Sequence, residues 1–337
     1  MNRGATSPRA IALLSGGLDS TLALKVVLDQ GIDVEALNFV TPFCTCSRGG
    51  EGCAATRAAA EAGVSCKTIS VTDELFEVIK NPKHGYGSGM NPCIDCRTLM
   101  FTKARQRMEE IGATFIFTGE VLGQRPMSQN RRAMGIIERE SGLEGRVLRP
   151  LSARLMEPTI PEIEGAVDRD RLLALQGRSR KPQMAMVGDR GITDYPCPAG
   201  GCRLTDPGFA RRMRDLVLHH PGFDLNDVRL LKVGRHFRIS PQAKAVAGRN
   251  ERENQAILAW ARDGDTLFEV PVAGSPVTLL RGGATREDIA VAATITARYS
   301  DADGDEIEVH YGRRHGDLEE SISVSPLGED RLARLRL

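Results

Sequence analysis

The sequence predicts an α/β fold, with a doubly wound parallel sheet in the first half and a C-terminal α+β domain. Two observations lead to this prediction. Up to about residue 118, apolar runs with the length of buried parallel strands alternate with helical patterns. Beyond about residue 206, short β-like runs surround two helical stretches. The 337 residues are enough for two domains of ordinary size.

The first-half elements follow one another in regular alternation. Residues 11–14 predict the first strand, and the apolar periodicity that opens at Asp19-Ser20 predicts the helix after it. Ligands of such a sheet bind at the carboxyl ends of the strands. The remaining elements expected are strands at 34–40, 66–71 and 113–118 and helices at 56–62, 73–80 and about 94–111.

The domain boundaries follow from a change of sequence character near Asp206. A basic helix at 209–218 leads into Pro221-Gly222, after which short β-like runs begin. We expect one domain over residues 1–205, a basic linker helix over 206–227 and a second domain over 228–337. Its expected elements are strands at 228–233, 267–270, 277–280 and 306–311 and helices at 251–262 and 287–299.

Composition narrows the class of protein. Hydrophobic residues make up 41% of the chain and charged residues 26%, without an apolar run of membrane length or a signal-peptide core, so we expect a cytoplasmic protein. Eight cysteines in such a chain favour metal or catalytic roles over disulfides. The stretch from Arg203 to Arg252 contains eleven Lys or Arg but only five Asp or Glu. This basic excess indicates a nucleic-acid surface or, alternatively, a solvated basic face.

The segment Ser-Gly-Gly-Leu-Asp-Ser at 15–20 joins the first strand to the first helix. Its glycines free the backbone, and the helix N-terminus directs N–H groups and the helix dipole towards one point. This arrangement predicts a phosphate site, although the loop lacks the lysine of the Gly-x-x-x-x-Gly-Lys-Ser/Thr motif. An ordinary glycine-rich turn is the alternative.

The hexapeptide resembles the pyrophosphate loop of the PP-loop (N-type) ATP pyrophosphatases, whose fold is of the adenine-nucleotide α-hydrolase type. The resemblance implies that ATP is cleaved between its α and β phosphates and that a substrate is activated as its adenylate. It also implies a Mg²⁺ ion, which Asp19 would help to hold. The ATP-binding residues implied in the loop are Ser15, Gly16, Gly17, Asp19 and Ser20.

A second segment, 119–129, resembles the Gly-Glu-Ser-Leu-Gly-Gln-x-x-Ser-Gln stretch of four-thiouridine synthetases, which lies beside the nucleotide. Gly119 permits close backbone approach, and Gln124 and Ser128 offer neutral donors to a phosphate or base. A plain surface loop is the alternative. Three arginines are predicted to contact polyphosphate or RNA: Arg125, Arg131 and Arg132.

The Leu-Arg-Pro-Leu stretch at 148–151 resembles the same family. The lysine that follows this stretch in the family is missing here. The resemblance therefore leaves the cation that stabilises the departing pyrophosphate unassigned.

Cys93-Ile-Asp-Cys96 begins the predicted helix at 94–111, and Cys197 and Cys202 follow about a hundred residues later. A Cys-x-x-Cys pair on a first helical turn places two sulfurs side by side, and the helix dipole is expected to lower their pKa. Both dithiol redox chemistry and metal ligation use such a pair. The cysteines at 44, 46 and 53 follow the second strand, and metal binding, sulfur relay and free thiols remain open for them.

Asn-Pro-x-x-x-Cys ahead of a helix, with a distant second cysteine, resembles the tRNA thiouridine synthetases. The Cys-x-x-Cys form is similar to the archaeal and cytosolic thiolases, which implies a [4Fe–4S] cluster with one open iron for sulfide. The ligands implied are Cys93, Cys96 and Cys202, with Cys197 as the alternative third ligand. Together with Asp19, these three cysteines are the predicted catalytic residues. Zinc and a cysteine persulfide remain alternatives to the cluster.

The C-terminal domain contains Lys-Val-Gly-Arg-His-Phe-Arg at 232–238, Gly-Arg-Asn at 248–250 and Gly-Ser-Pro at 274–276. Over residues 228–325, this pattern resembles the RNA-binding domain of NFACT proteins. An idle charged scaffold is the alternative. The RNA contacts predicted from these stretches are Lys232, Arg235, Arg238 and Arg249.

Taken together, the resemblances imply an ATP-dependent tRNA sulfurtransferase that adenylates a uridine base and replaces its oxygen with sulfur. The partners implied are tRNA and a sulfur donor, which is free sulfide, a persulfide or a carrier protein; no membrane partner is expected. One alternative is a PP-loop enzyme that adenylates a small molecule, for cofactor sulfur insertion, amidation or nitrile formation. A second is a non-catalytic RNA-binding adaptor.

Overall fold

A computed structural model describes residues 8–45, 53–189, 201–271, 273–283, 285–313 and 316–337. The chain divides into two compact units, Met1–Thr205 and Asp206–Leu337. Among the described residues, no helix is long and apolar enough to cross a membrane.

The first unit is built on a five-stranded parallel sheet of order β3-β2-β1-β4-β5. Strands β2 and β4 both pair with β1, so the strand order reverses next to β1, the position at which such folds bind ligands. The strands are β1 (Arg9–Leu13), β2 (Asp33–Val40), β3 (Ser65–Ser70), β4 (Phe115–Thr118) and β5 (Val147–Leu148).

Helices cover both faces of this sheet. The side chains of β1 alternate, so Ala10 and Ala12 join one buried cluster with α1 and α2, whereas Ile11 joins another with α4. The predicted doubly wound parallel sheet is therefore confirmed. The helices are α1 (Leu18–Leu28), α2 (Ala54–Glu61), α3 (Thr72–Lys80), α4 (Cys93–Glu110), α5 (Arg131–Ser141), α6 (Ile160–Ile163) and α7 (Lys181–Asp189), with 3₁₀ turns at Ala153–Leu155, Arg169–Arg171 and Arg203–Thr205.

The second unit contains a six-stranded antiparallel sheet of order β11-β10-β8-β9-β7-β6, which confirms the predicted C-terminal α+β domain. Its strands are β6 (Arg235–Arg238), β7 (Lys244–Ala247), β8 (Thr266–Glu269), β9 (Thr278–Arg281), β10 (Ile307–Gly312) and β11 (Glu320–Val324). Its helices are α8 (Pro207–His219), α9 (Leu225–Leu230), α10 (Glu251–Trp260), α11 (Arg286–Arg298) and α12 (Glu329–Leu335).

Each face of this second sheet carries its own core. Phe237, Ala245 and Leu280 pack with buried residues of α11 and α12 on one face. Val246 and Leu279 pack with residues of α9 and α10 on the other. Because strand side chains alternate, the polar neighbours of Val246 on its own face are turned towards α9 and α10.

One predicted strand of the second unit is wrong. The apolar run 228–233 was expected to be β, but its first three residues belong to α9 and the other three form a turn. Asp224 caps that helix by accepting from the N–H groups of Asn226 and Asp227, and the Asp227 carboxylate accepts in turn from the Asp224 N–H. This capping box, which the apolar pattern does not reveal, fixes a helix start three residues before Val228.

The segment 206–227, expected to be a linker helix, lies within the second compact unit. It contains α8 and the start of α9. The carboxylate of Asp215 on α8 accepts two hydrogen bonds, at 2.9 and 2.7 Å, from the guanidinium of Arg238 on β6. These bonds attach α8 to the sheet.

Candidate nucleotide and cysteine site

The loop at 15–20 lies where β1 ends and α1 begins. Gly17 is the N-cap of α1, and it offers no side chain to cap the first turn, whose N–H groups have no partner within the helix. The Ser20 hydroxyl donates to the Gly17 carbonyl at 2.9 Å and lies 3.1 Å from the Ser15 hydroxyl. The Ser15 and Gly17 N–H groups donate to the hydroxyls of Ser20 and Ser15, at 3.3 and 3.4 Å. The N–H groups of the first turn of α1 are therefore the ones available to an anion.

The two loop glycines serve different purposes. Gly16 has a φ of +73°, and a Cβ there would lie 2.3 Å from the Ala54 carbonyl carbon at the start of α2. Gly17 has a φ of −81°, and the nearest atom to a Cβ would be the Ser15 hydroxyl oxygen at 3.6 Å. Gly16 is therefore required by packing within the protein, whereas Gly17 leaves open space above the helix N-terminus.

Gly119, at the end of β4, also approaches another backbone closely. A Cβ at this position would lie 2.4 Å from the Ser20 nitrogen. The sequence predicted that Gly119 would permit close approach, and the backbone that approaches it in the structure is that of α1. Gly119 therefore fixes the 119–129 segment beside the loop.

Asp19 links the loop to the 119–129 segment. One oxygen of its carboxylate, Oδ2, accepts a hydrogen bond from the Gln124 amide at 2.7 Å and lies 3.6 Å from Nε of Arg180. The other oxygen, Oδ1, is buried and has no hydrogen-bond partner among the described residues. A buried, unpartnered carboxylate oxygen beside a phosphate loop fits a hard divalent cation such as Mg²⁺.

Three arginines form a cationic cluster, Arg97, Arg125 and Arg180. Burial and the charges of Arg97 and Arg180 lower the pKa of Arg125, and the charges of Cys93 and Asp19 act in the opposite direction. One guanidinium is thus within electrostatic reach of both the loop carboxylate and the first cysteine.

The sequence did not identify Arg97 or Arg180. Arg97 lies on α4 directly after Cys96, and its Nε is 3.4 Å from a Glu120 carboxylate oxygen that is itself buried. Arg180 immediately precedes α7, and its buried Nε has no hydrogen-bond partner among the described residues. No motif surrounds either arginine, and Arg180 is far from the loop along the chain, so only the fold could reveal the cluster.

The cysteines come together through α4 and a backbone pairing. Cys93 begins α4, and its sulfur accepts a hydrogen bond from the Asn91 amide at 3.1 Å. Residues 201–203 pair with residues 43–45, through a bond from the Arg203 N–H to the Phe43 carbonyl and an antiparallel bridge between Cys44 and Cys202. This bridge places Cys44, for which the sequence left several roles open, beside a predicted ligand.

Cys93, Cys96 and Cys202 are partly buried, and Cys44 is exposed. Burial, against the opposing charge of Arg97 and together with the charges of Cys202 and Cys93, raises the pKa of Cys96 to about 12. Burial likewise raises the pKa of Cys202 to about 11, with Cys93 and Cys44 acting in the same direction. The expectation that the helix N-terminus lowers the pKa of the pair is therefore wrong for Cys96, because desolvation outweighs the helix dipole.

Cys93, Cys96 and Cys202 thus lie within electrostatic range of one another, as a soft donor set of the kind that iron–sulfur clusters use. Among the described residues, no group of three His, Cys, Asp or Glu side chains lies close enough together to hold a metal ion, so these three cysteines do not form a ready ligand set by themselves. The alternative ligand Cys197, and also Cys46, lie outside the described residues.

Of the three remaining predicted contact residues of the first unit, one is buried and two are exposed. Ser128 is buried within the 119–129 segment. Arg131 and Arg132 begin α5 and are exposed, and the Arg131 guanidinium donates to the Leu155 carbonyl. Their contact with RNA stays a prediction.

The predicted RNA-binding arginines of the second unit already have partners within it. Arg238 forms its two bonds to Asp215, and Arg249 pairs with Glu253 four residues along. Arg235 lies 4.3 Å from the centre of the Tyr299 ring. Lys232 precedes β6 rather than lying in it, so the expected alternation along one strand holds only for Arg235 and Arg238. Their contact with RNA stays a prediction.

Two family descriptions match this chain. Residues 5–157 match the family described as Thiamine biosynthesis protein (ThiI). Residues 234–336 match the family described as NFACT protein RNA binding domain. The first match includes the phosphate loop, Cys93, Cys96 and the 119–129 segment.

Relatives among curated proteins are distant. The tRNA-specific 2-thiouridylase MnmA of Marinobacter nauticus is 23% identical over 329 residues, which cover 88% of this chain and 80% of that protein. Several other 2-thiouridylases match over 34% to 36% of their own length, so the chain spans about a third of those relatives.

Two solved structures are also similar. A 4-thiouridine synthetase in complex with RNA and bound ATP has a TM-score of 0.33 and 23% identity, covering 55% of this chain and 52% of that chain. The U34-tRNA thiolase NcsA from Methanococcus maripaludis, with its [4Fe-4S] cluster, has a TM-score of 0.30 and 16% identity, covering 67% and 71%.

The contrast between Gly16 and Gly17 can be tested with the same substitution at both positions. Gly16→Ala should lower the melting temperature, because a Cβ in the left-handed region against the Ala54 backbone costs roughly 1–3 kcal/mol. Gly17→Ala should leave the melting temperature near that of the wild type and weaken ATP binding. Thermal unfolding and equilibrium ATP titration measure the two effects. A destabilised Gly17→Ala variant, or unchanged ATP affinity in it, would contradict the assignment.

Proposed function

We propose that this chain is an ATP-dependent tRNA sulfurtransferase, because residues 5–157 match the family described as Thiamine biosynthesis protein (ThiI) and residues 234–336 match the NFACT protein RNA binding domain. It adenylates a uridine base and replaces the base oxygen with sulfur.

The observation that carries this proposal is that the 119–129 segment contacts both the phosphate loop and the first cysteine. Gln124 donates to the Asp19 carboxylate at 2.7 Å. The Met127 sulfur lies 3.7 Å from the Asn91 amide, which also donates to the Cys93 sulfur at 3.1 Å. Nucleotide activation and sulfur chemistry would then share one site.

ATP occupies the loop at 15–20, with its phosphates on the N–H groups of the α1 N-terminus. Mg²⁺ is held by Asp19, whose Oδ1 has no protein partner among the described residues. The space above Gly17 admits the phosphates. The uridine carbonyl oxygen attacks the α-phosphorus, the bond to the β-phosphate breaks, and pyrophosphate leaves. Sulfide-level sulfur then attacks the activated carbon of the base, the C–O bond breaks, and the oxygen leaves as part of AMP.

Arg180 and Arg125 stabilise the departing pyrophosphate in place of the missing family lysine. Arg180 lies 3.6 Å from the Asp19 carboxylate, with a buried Nε that has no hydrogen-bond partner among the described residues. A guanidinium presents paired donors to phosphate oxygens and stays charged at neutral pH. Charge that develops on the leaving group is therefore met by cations already in position.

Cys93, Cys96 and Cys202 hold the sulfur-carrying group. A [4Fe–4S] cluster, when bound, supplies an open iron at which sulfide is kept as a nucleophile. The role of the chain is to provide three partly buried cysteine ligands, with Arg97 and Arg125 as neighbouring cations. Free sulfide, a persulfide or a carrier protein is the sulfur donor to this group. A cysteine persulfide remains the alternative, and its outer sulfur would come from a persulfide or a persulfide-bearing carrier protein, because free sulfide forms a persulfide only with an oxidant.

The second unit binds the tRNA, and the substrate places the enzyme in the cytoplasm. The domains proposed are residues 1–205 for ATP and sulfur chemistry and residues 228–337 for RNA, joined through 206–227. The exposed arginines of the first unit, Arg131 and Arg132, provide further phosphate contacts.

The function is tested by mass spectrometry of tRNA nucleosides from a deletion strain. We expect one thiolated uridine to disappear, to return with the wild-type gene and to stay absent with Asp19→Ala. A deletion strain with an unchanged set of thiolated nucleosides would refute tRNA thiolation and favour a small-molecule substrate.

Arg180→Met should slow pyrophosphate formation from ATP and tRNA by about tenfold or more, because a charged hydrogen bond to the leaving group is lost. ATP affinity, measured by equilibrium titration, should change less than the rate, since the charge grows towards the transition state. Arg178→Met is the matched control, because this exposed arginine lies two residues away. If both substitutions slowed pyrophosphate formation equally, the proposed contact of Arg180 with the leaving group would be wrong.

Iron content tests the cysteine assignment. Protein purified without oxygen should contain about four iron atoms per chain. Cys202→Ser should lose most of this iron, whereas Cys66→Ser, on β3, should retain it. Stoichiometric zinc, or full iron retention in Cys202→Ser, would show that the ligand set is wrong.

A further inference from the structure

The second unit encloses a cavity of about 350 Å³ that the proposed chemistry does not use. It lies on the sheet face that is turned towards α8 and α9, and its remaining wall is the turn between α10 and β8. Its apolar wall consists of Leu216, Leu230, Leu231 and Val246. A cavity of this size is large enough for one small organic ligand.

The floor of the cavity is a row of cations on three adjacent strands. Lys244 on β7 lies opposite Arg238 on β6 and opposite Arg281 on β9. Side chains of directly opposed residues share one sheet face, so the three cations stand side by side. Both outer members have carboxylate partners, Asp215 for Arg238 and Asp265 with Asp227 for Arg281.

Lys244, the middle cation of the row, does not use all of its hydrogen-bond donors. The residue is only 8% exposed, and its ammonium lies 3.3 Å from the Asp215 oxygen that Arg238 already engages. Within the described part of the chain, Nζ forms no hydrogen bond of acceptable geometry. A buried ammonium therefore has unused N–H donors at the cavity floor.

His236 supplies an unused acceptor beside it. Its Nε2 lies 2.7 Å from the Val233 carbonyl, which can only accept, so Nε2 carries the proton. Burial and the nearby charge of Lys244 hold the pKa of His236 well below its usual value, so the ring is neutral and Nδ1 is an acceptor. His236 is 2% exposed, and Nδ1 has no hydrogen-bond partner among the described residues.

We propose that this cavity binds a single unpaired nucleobase of RNA, with Lys244 donating to a base acceptor and His236 Nδ1 accepting from a base N–H. This inference rests on the proposed function and deepens it, by giving the RNA-binding unit a pocket for one extruded nucleotide. Nucleobases combine apolar faces with an edge that carries both donors and acceptors, which matches the leucine wall and the two unused groups. A phosphodiester of the RNA backbone carries no proton at neutral pH and would leave His236 Nδ1 unpaired.

The experiment uses the full chain, with the ATP loop saturated by a non-hydrolysable ATP analogue and Mg²⁺. Uridine 5′-monophosphate is titrated by calorimetry, with ribose 5-phosphate and inorganic phosphate as probes that lack the base. We expect saturable binding of the nucleotide at least about tenfold tighter than of either control, because only the base pairs with both unused groups.

Two pairs of variants locate the binding. His219 lines the cavity and is partly exposed, so His219→Trp should fill the mouth and weaken nucleotide binding about tenfold or more. Leu218→Trp is its matched control, because Leu218 is 73% exposed and does not line the cavity. Lys244→Met should weaken binding similarly. Arg331→Met is its matched control, because Arg331 is an exposed residue of α12 and its substitution removes the same charge away from the cavity.

The outcomes separate the possibilities. If ribose 5-phosphate or phosphate binds as tightly as the nucleotide, the cavity is an anion site and the base pocket is refuted. Absence of saturable nucleotide binding, or equal binding by His219→Trp and Leu218→Trp, also refutes it. If Lys244→Met lowers the melting temperature, its weaker binding could reflect lost stability. The comparison of His219→Trp with Leu218→Trp then decides whether the nucleotide binds in the cavity. Failure of the proposed function itself would appear in the tRNA nucleosides, which this titration does not measure.

Discussion

The close approach of three backbone segments is the constraint on which the candidate site depends. Gly16 meets the start of α2 at Ala54, and Gly119 meets the first turn of α1 at Ser20, with separations that leave no room for a Cβ at either glycine. β1 and β4 are neighbours in the sheet, and these contacts pack α2 and the segment that follows β4 against the loop at the carboxyl end of β1. The phosphate loop, Asp19 and the 119–129 segment occupy fixed relative positions for this reason, and Gln124 can reach Asp19 at 2.7 Å.

Both candidate sites contain polar groups that are partly or fully removed from solvent. In the first unit, Asp19, Arg125, Arg180 and Cys93 act on one another in a partly desolvated site, where electrostatic interactions are stronger than in water. In the second, Lys244 and His236 are buried with unused hydrogen-bonding capacity. Buried polar groups of this kind are costly when unpaired, so a ligand that pairs them gains affinity and selectivity together.

The arginines show why charge along a sequence does not equal charge on a surface. Arg238 and Arg249, counted as part of a basic region, form ion pairs with Asp215 and Glu253 inside the same unit. Arg125, expected to contact RNA or polyphosphate, lies within reach of the phosphate loop and of Cys93. These arginines of 203–252 are thus paired with carboxylates of the same unit, Asp215 within that stretch and Glu253 directly after it.

The sequence by itself determined the alternation of strands and helices, the phosphate loop and the Cys-x-x-Cys pair, because these depend on local periodicity and on residues adjacent in the chain. It misplaced α9, since a capping box outweighed the apolar run at 228–233. Only the tertiary structure placed Arg180 beside Asp19, paired Cys44 with Cys202 and aligned Lys244 with Arg238 and Arg281. Those contacts join residues far apart in the chain through strand register and backbone packing, which no local pattern encodes.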